Sequence, residues 1–119
     1  MTDFTMEKGA DGVAIITWDT AGKSMNVMNM EGWPLLESLV DDALADDAVK
    51  GIVITSGKEG TFAGGMDLNV IAKMKEMAGD NPAQGLMDGL MNMHSILRKI
   101  ERGGMDDKNK GGKPIAAAL

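Results

Sequence analysis

The sequence predicts an α/β layered fold with parallel strand pairing. Two short β-branched runs, Val13–Trp18 and Gly51–Ser56, are separated by a segment of helical period. A second strong helical period follows, and a further apolar run opens at Lys113. Strands alternating with helices in the order βαβααβ are the signature of layered α/β architecture.

Each element has its own warrant. Asp11-Gly12 supplies a turn before Val13–Trp18, and residues 19–23 read as turn chemistry after it. Residues 24–30 form an irregular stretch with two Asn. Over residues 30–46, Leu35, Leu36, Leu39, Val40, Ala43 and Leu44 recur at helical spacing, with Pro34 tolerated in the first turn. Asp41, Asp42, Asp46 and Asp47 fall mostly off that stripe, on a solvated face. Gly51–Ser56 reads as a continuous apolar run ended by Gly57, as suits a strand covered on both faces. Residues 57–65 are a glycine-rich loop, and residues 67–74 read as helix, broken by Asp80-Asn81-Pro82. Leu86, Leu90, Met93, Leu97 and Ile100 then form one apolar stripe, closed by Arg98, Lys99 and Arg102 and stopped by Gly103-Gly104. Residues 105–112 are expected to be an exposed loop, and residues 113–119 a strand on which the sequence stops. That ending suggests the N-terminal part of one longer domain, incomplete within residues 1–119.

Composition excludes several function classes. A length of 119 residues is one domain's worth. Charges of 12 Lys+Arg against 18 Asp+Glu give −6, and with two Trp, two Phe and no Tyr there is no basic stacking face for nucleic acid. No apolar run approaches the ~20 residues of a membrane span, and no basic n-region with an apolar h-region opens the chain. Zero Cys removes disulfides, Cys-ligated zinc and thiol nucleophiles, fitting a cytoplasmic setting, and one His removes multi-His metal sites. Gly, 16 of the residues, is about twice its usual ~7% share. The 12 Met suit a soft, adaptable core.

The informative segment is Thr61-Phe62-Ala63-Gly64-Gly65-Met66-Asp67-Leu68. Glycines let the backbone approach a ligand and adopt positive φ, and a following helix start offers unpaired N–H groups to an oxyanion or phosphate. It is neither a P-loop nor a dinucleotide fingerprint, since both spacings are absent. A tight turn that merely connects strand to helix explains this pattern equally simply.

Taken in order, Asp11-Gly12-Val13-Ala14-Ile15, Ser24-Met25-Asn26-Val27-Met28-Asn29, Gly51–Ser56 with Gly57, and Phe62-Ala63-Gly64-Gly65-Met66-Asp67-Leu68 resemble the enoyl-CoA hydratase (crotonase) superfamily. Leu97-Arg98-Lys99-Ile100-Glu101 and Lys113-Pro114-Ile115-Ala116-Ala117 extend the resemblance across essentially the whole chain. The long loop before the last strand looks most like the hydratase part of bacterial bifunctional fatty-acid oxidation proteins. The resemblance implies a crotonase-like layered fold and a thioester enolate held by two backbone N–H groups. The first would be that of Met66, a departure from the small residue that most relatives carry there. It implies that Lys23, Ser24 and Met25 contact the CoA nucleotide, with Lys23 a phosphate partner, and that Gly64 and Gly65 shape the loop beside the thioester. Asp67 would cap the helix and fix the loop.

The implied reaction is hydration of 2-enoyl-CoA in fatty-acid β-oxidation. It needs no cofactor beyond the substrate's own CoA, and NAD only if a dehydrogenase domain follows. The implied partners are an acyl-CoA and either a second copy of the chain or a fatty-acid oxidation complex. The family's catalytic glutamates and second N–H would lie past residue 119, so none of Glu7, Glu31, Glu37, Glu59, Glu76 and Glu101 is assigned to catalysis and the chain alone is expected to be inactive. Isomerisation, thioester hydrolysis or decarboxylation on the same scaffold, or a non-catalytic CoA- or subunit-binding module, stand as alternatives. His94, Ser56 and Ser95 lack triad partners, and Asp106-Asp107 is not a calcium-loop pattern.

Overall fold

Alternation along Val13–Trp18 sends Ala14, Ile16 and Trp18 to one buried face, and this strand organises the sheet. The structure, a computed structural model, describes residues 3–66, 68, 69, 72, 73, 76 and 79–118. Its elements are β1 (Phe4–Lys8), β2 (Val13–Trp18), β3 (Val27–Met28), α1 (Gly32–Ala45), β4 (Gly51–Ser56), β5 (Gly65–Met66), α2 (Pro82–Glu101) and β6 (Ile115–Ala118). The main sheet runs β1-β2-β4-β6, and β3 and β5 form a separate pair.

Parallel pairing holds for β2-β4, β4-β6 and β3-β5. The exception is β1, which pairs antiparallel with β2. This strand was not expected, although Phe4 and Met6 alternate with Thr5 and Glu7 as in a half-buried strand. Phe4 stacks on Trp18 at 5.3 Å between ring centroids. Two short strands, β3 and β5, replace what read as irregular chain and glycine loop. The expected helix over residues 67–74 includes residues outside the described ones.

Helix α1 covers the buried face of the sheet through Leu36, Val40 and Ala43, spaced at i, i+4 and i+7. Ile52 of β4 completes that core, while Ile15, on the opposite face of β2, is exposed. Full coverage of both faces, expected for β4, is therefore not observed: Ile52 alone of that strand is buried. Helix α2 begins at Pro82, with the Asn81 side chain accepting from the Gln84 N–H at 3.2 Å. Its buried residues are Met93 and Ile96, so Ile96 joins the packing face while Leu90 and Leu97 of the expected stripe stay exposed. The methionines divide as well. Met28 and Met93 are buried, whereas Met25, Met87, Met91 and Met105 are exposed, so the soft-core expectation holds only in part.

Charged residues tie these layers together. Lys8 of β1 lies 3.3 Å from Asp42 within α1 and 2.8 Å from Asp46 just past its end, and the Lys8 hydrogen bond holds the Asp46 carboxyl below its ordinary value. The Lys99 ammonium on α2 lies 3.0 Å from both Glu37 and Asp41 of α1. In the 105–112 loop, Asp106 accepts from the N–H groups of Lys108 and Lys110 at 2.9 and 3.0 Å, which gives its carboxylate an internal role. Among the described residues, no group of three or more His, Cys, Asp or Glu could hold a metal ion, and no helix is long and apolar enough to cross a membrane.

Hydrogen bonding to Glu37, and then to Asp41, raises the Lys99 pKa above 10.5 against an opposing desolvation. A raised folded-state pKa means that the stabilisation is complete below the unfolded value and fades as pH rises through the folded one. Lys99→Gln should lower the unfolding free energy by roughly 0.5–1 kcal/mol at pH 7, as for partly exposed ion pairs. Urea titrations should show the two chains converging in stability above the ordinary Lys pKa, 10.5. A difference that persists undiminished there would contradict this assignment.

Candidate functional site

Three chain segments meet beyond the ends of β2 and β4, and one buried side chain joins them. Asn26 has no exposed surface. Its Nδ2 donates to the Trp18 carbonyl at 2.9 Å, the Phe62 carbonyl at 2.7 Å and the Ser56 Oγ at 3.0 Å. Its Oδ1 accepts from the Thr20 N–H at 2.9 Å. An amide has two N–H bonds, so two hydrogens are shared among three acceptors. The Asn26 main chain adds another tie, accepting from the Gly64 N–H at 2.7 Å. Residues 62 and 64, on either side of Ala63, are thus both held by Asn26.

Neighbouring contacts brace this junction. Thr20 is buried, and its hydroxyl donates to the Val27 carbonyl at 3.3 Å and accepts from the Val27 N–H at 3.2 Å. Lys58 reaches the Thr20 carbonyl at 2.8 Å and the Asp19 carboxylate at 2.6 Å. Phe62 meets Trp18 edge to face at 6.0 Å.

The two glycines differ in purpose. Gly65 has φ +118, a conformation other residues seldom adopt, and a Cβ there would meet nothing within 4 Å. At Gly64 the constraint is space: a Cβ would stand 2.5 Å from the Met25 Sδ. Met25 therefore lies over the glycine segment, and the structure brings together two stretches far apart in sequence. Lys23 and Ser24 precede it on an exposed turn, with the Lys23 N–H directed at the Thr20 carbonyl, 3.4 Å away. Met66 sits in β5 opposite Met28, so the glycine pair leads into a short strand before the chain reaches residue 69, where helix begins. Asp67 lies outside the described residues.

Residues 61–66 contain no ionisable side chain, so apart from the Thr61 hydroxyl this segment offers only the hydrogen-bonding groups of its backbone. A hollow of about 480 Å³ beside it is lined by Thr55, Ser56, Lys58, Gly60, Thr61, Phe62 and Ala118, where parallel strands end. Ligands in open parallel sheets commonly sit at that end. Several glutamates are engaged elsewhere: Glu37 with Lys99, Glu101 with Arg98 at 2.9 Å and Glu31 with Lys73 at 3.8 Å. Ser56 serves as a structural acceptor, taking also the Lys58 N–H at 2.9 Å. His94 is exposed.

No family model matches the sequence. It is 47% identical over 68 residues to the fatty acid oxidation complex subunit alpha of Idiomarina loihiensis, covering 57% of this chain and 10% of that one. Against the same subunit of Shewanella baltica it is 32% identical over 80 residues, 67% of this chain and 11% of the relative. The chain thus spans about a tenth of these curated relatives. In structure it matches a Legionella pneumophila protein described as an enoyl CoA hydratase/isomerase (crotonase), with a TM-score of 0.74 at 20% identity over 98% of this chain and 39% of that one. An enoyl-CoA hydratase/isomerase from Xanthobacter autotrophicus gives 0.73 at 21% identity, over 99% of this chain and 38% of that one.

The chain has the crotonase fold. Its curated relatives are fatty acid oxidation alpha subunits, in agreement with the resemblance read from the Phe62–Leu68 motif. Asn26 is the residue that sequence reasoning missed. It stood inside the matched Ser24–Asn29 stretch, but a polar residue between Met25 and Val27 signals burial only once its partners are known.

Gly65→Ala should cost roughly 1–3 kcal/mol of stability through backbone strain. Gly64→Ala meets only the flexible end of Met25, so it should cost less, and Met25→Ala should remove much of that cost. Urea unfolding of the three variants checks the order; equal losses at both glycines would contradict it.

Proposed function

We propose that this chain supplies the first half of a backbone oxyanion hole for a 2-enoyl-CoA thioester, in an enoyl-CoA hydratase-like lyase of fatty-acid β-oxidation. The observation that carries the reading is the Asn26-anchored glycine segment, free of ionisable side chains, in a crotonase-fold chain related to fatty acid oxidation alpha subunits.

Water adds to the β-carbon of the unsaturated thioester, and the displaced electron pair moves to the carbonyl oxygen as an enolate. The Met66 N–H faces that charge in this proposal. A fixed amide donor needs no reorganisation, and removing one such donor typically costs ~10²–10³ in rate. Met25 over Gly64, with Ser24 and Lys23 beside it, forms the wall for CoA, and the Lys23 ammonium meets a phosphate. Hydration transfers a proton and a hydroxide without redox change, so no nicotinamide enters this step; NAD belongs only to a dehydrogenase domain of a longer chain. We further propose an acyl-CoA-binding subunit, self-associating or part of a fatty-acid oxidation complex, in the cytoplasm.

Protonation at the α-carbon and activation of water require carboxylates at the alkene. With Glu31, Glu37 and Glu101 engaged in ion pairs, the isolated chain should bind the thioester without hydrating it. Isothermal titration should show crotonyl-CoA binding, the enone absorbance should persist, and the bound thioester carbonyl stretch should move to lower wavenumber. Met66→Ala keeps the amide and should keep that shift. An ester in place of the Gly65–Met66 amide removes the donor and should abolish it. Hydration with kcat of about 1 s⁻¹ or more, or a bound carbonyl with an unshifted stretch, would overturn this reading.

A further inference from the structure

We infer that Asn26 is a positioning residue for the Met66 N–H, a role that rests on the oxyanion reading above and goes beyond it. Among the described residues, the donor segment has little else to locate it. Strand β5 pairs with β3 over only two residues, Gly65 with Val27 and Met66 with Met28. Immediately before the donor stands Gly65 at φ +118, with open space around it. So short a ladder next to a glycine leaves the direction of an amide N–H poorly determined by local structure alone.

Asn26 fixes it from both sides. Its side chain holds the Phe62 carbonyl at 2.7 Å, and its main-chain carbonyl holds the Gly64 N–H at 2.7 Å. These two anchors bracket Ala63 and set the course of the chain as it enters Gly65. Asn26 also immediately precedes Val27, the β3 residue opposite Gly65. One residue therefore sets both strands of the pair that carries the donor, and its bond to the Trp18 carbonyl, at 2.9 Å, refers that pair to the end of β2. Burial makes the arrangement exacting, because unpaired polar groups in a low-dielectric interior are costly.

A purely architectural Asn26 would affect stability and leave a bound thioester unchanged. A positioning Asn26 would also change how strongly the carbonyl is polarised at full occupancy. Asn26→Asp separates these outcomes. It preserves size and the acceptor for the Thr20 N–H, and it turns an oxygen toward the Trp18 and Phe62 carbonyls in place of the donor.

The test uses the full 119-residue chain saturated with crotonyl-CoA carrying a ¹³C thioester carbonyl. The infrared shift of that carbonyl is read together with hydrogen exchange at residues 64–66. In Asn26→Asp, exchange at these amides should rise by about tenfold or more while β2 and β4 amides keep their protection, as for a local opening. The carbonyl shift should shrink to less than about half its wild-type size, the result of a misdirected donor. A folded, saturated Asn26→Asp chain with the full wild-type shift would overturn the positioning role and leave the oxyanion reading standing. No shift in the wild-type chain would overturn both. Should Asn26→Asp fail to fold, the wild-type chain decides through the scalar coupling across the Asn26 Nδ2–H to Phe62 carbonyl bond. A coupling that persists with thioester bound supports the role, and its loss on binding overturns it.

Discussion

The buried amide of Asn26 is the constraint on which the site depends. It has no exposed surface, and both its oxygen and its nitrogen are engaged, with partners from three separate parts of the chain. Leaving a buried polar group unpaired costs about 1–3 kcal/mol, so each of these segments is held to one arrangement. The end of β2, the start of β3 and the loop after β4 are fixed relative to one another at a single point. The glycine segment inherits its position from that point, and Met25 closes over it because the 24–26 stretch is held there too.

The sheet places this junction where parallel strands end. Strands β2, β4 and β6 run in register, with Ala14 beside Ile52 and Ile52 beside Ile115, and α1 packs over that face. Because β2 and β4 end together at Trp18 and Ser56, the two chain segments leaving them emerge side by side and both reach Asn26. The Lys99 contacts to Glu37 and Asp41 orient α2 against α1, away from the junction.

Much of this was legible in the sequence because the signals are local. Val13–Trp18, Gly51–Ser56 and the helix ending at Ala45 are each declared by period and by turn residues. β1 was legible in principle from the alternation of Phe4 and Met6 with polar neighbours, yet its antiparallel pairing depends on β2 and no local signal reports it. Two-residue strands such as β3 and β5 are set by pairing and leave no period to read. Helix α2 shows the limit of periodicity: the stripe of Leu90 and Leu97 was visible, but the choice to bury Ile96 belongs to packing. In the site, the glycine pair announced itself by composition. Asn26 did not, because its meaning lies in residues six to thirty-six positions away.

The central claim is geometric: the backbone N–H of Met66, held through Asn26, addresses a thioester oxygen. A crystal structure of the chain soaked with an enoyl-CoA tests it most directly. The account predicts the thioester oxygen within about 2.7–3.1 Å of the Met66 nitrogen, the range expected of an oxyanion donor, with the Asn26 to Phe62 bond intact. A thioester seated elsewhere, with its oxygen turned away from residues 64–66, would contradict the account.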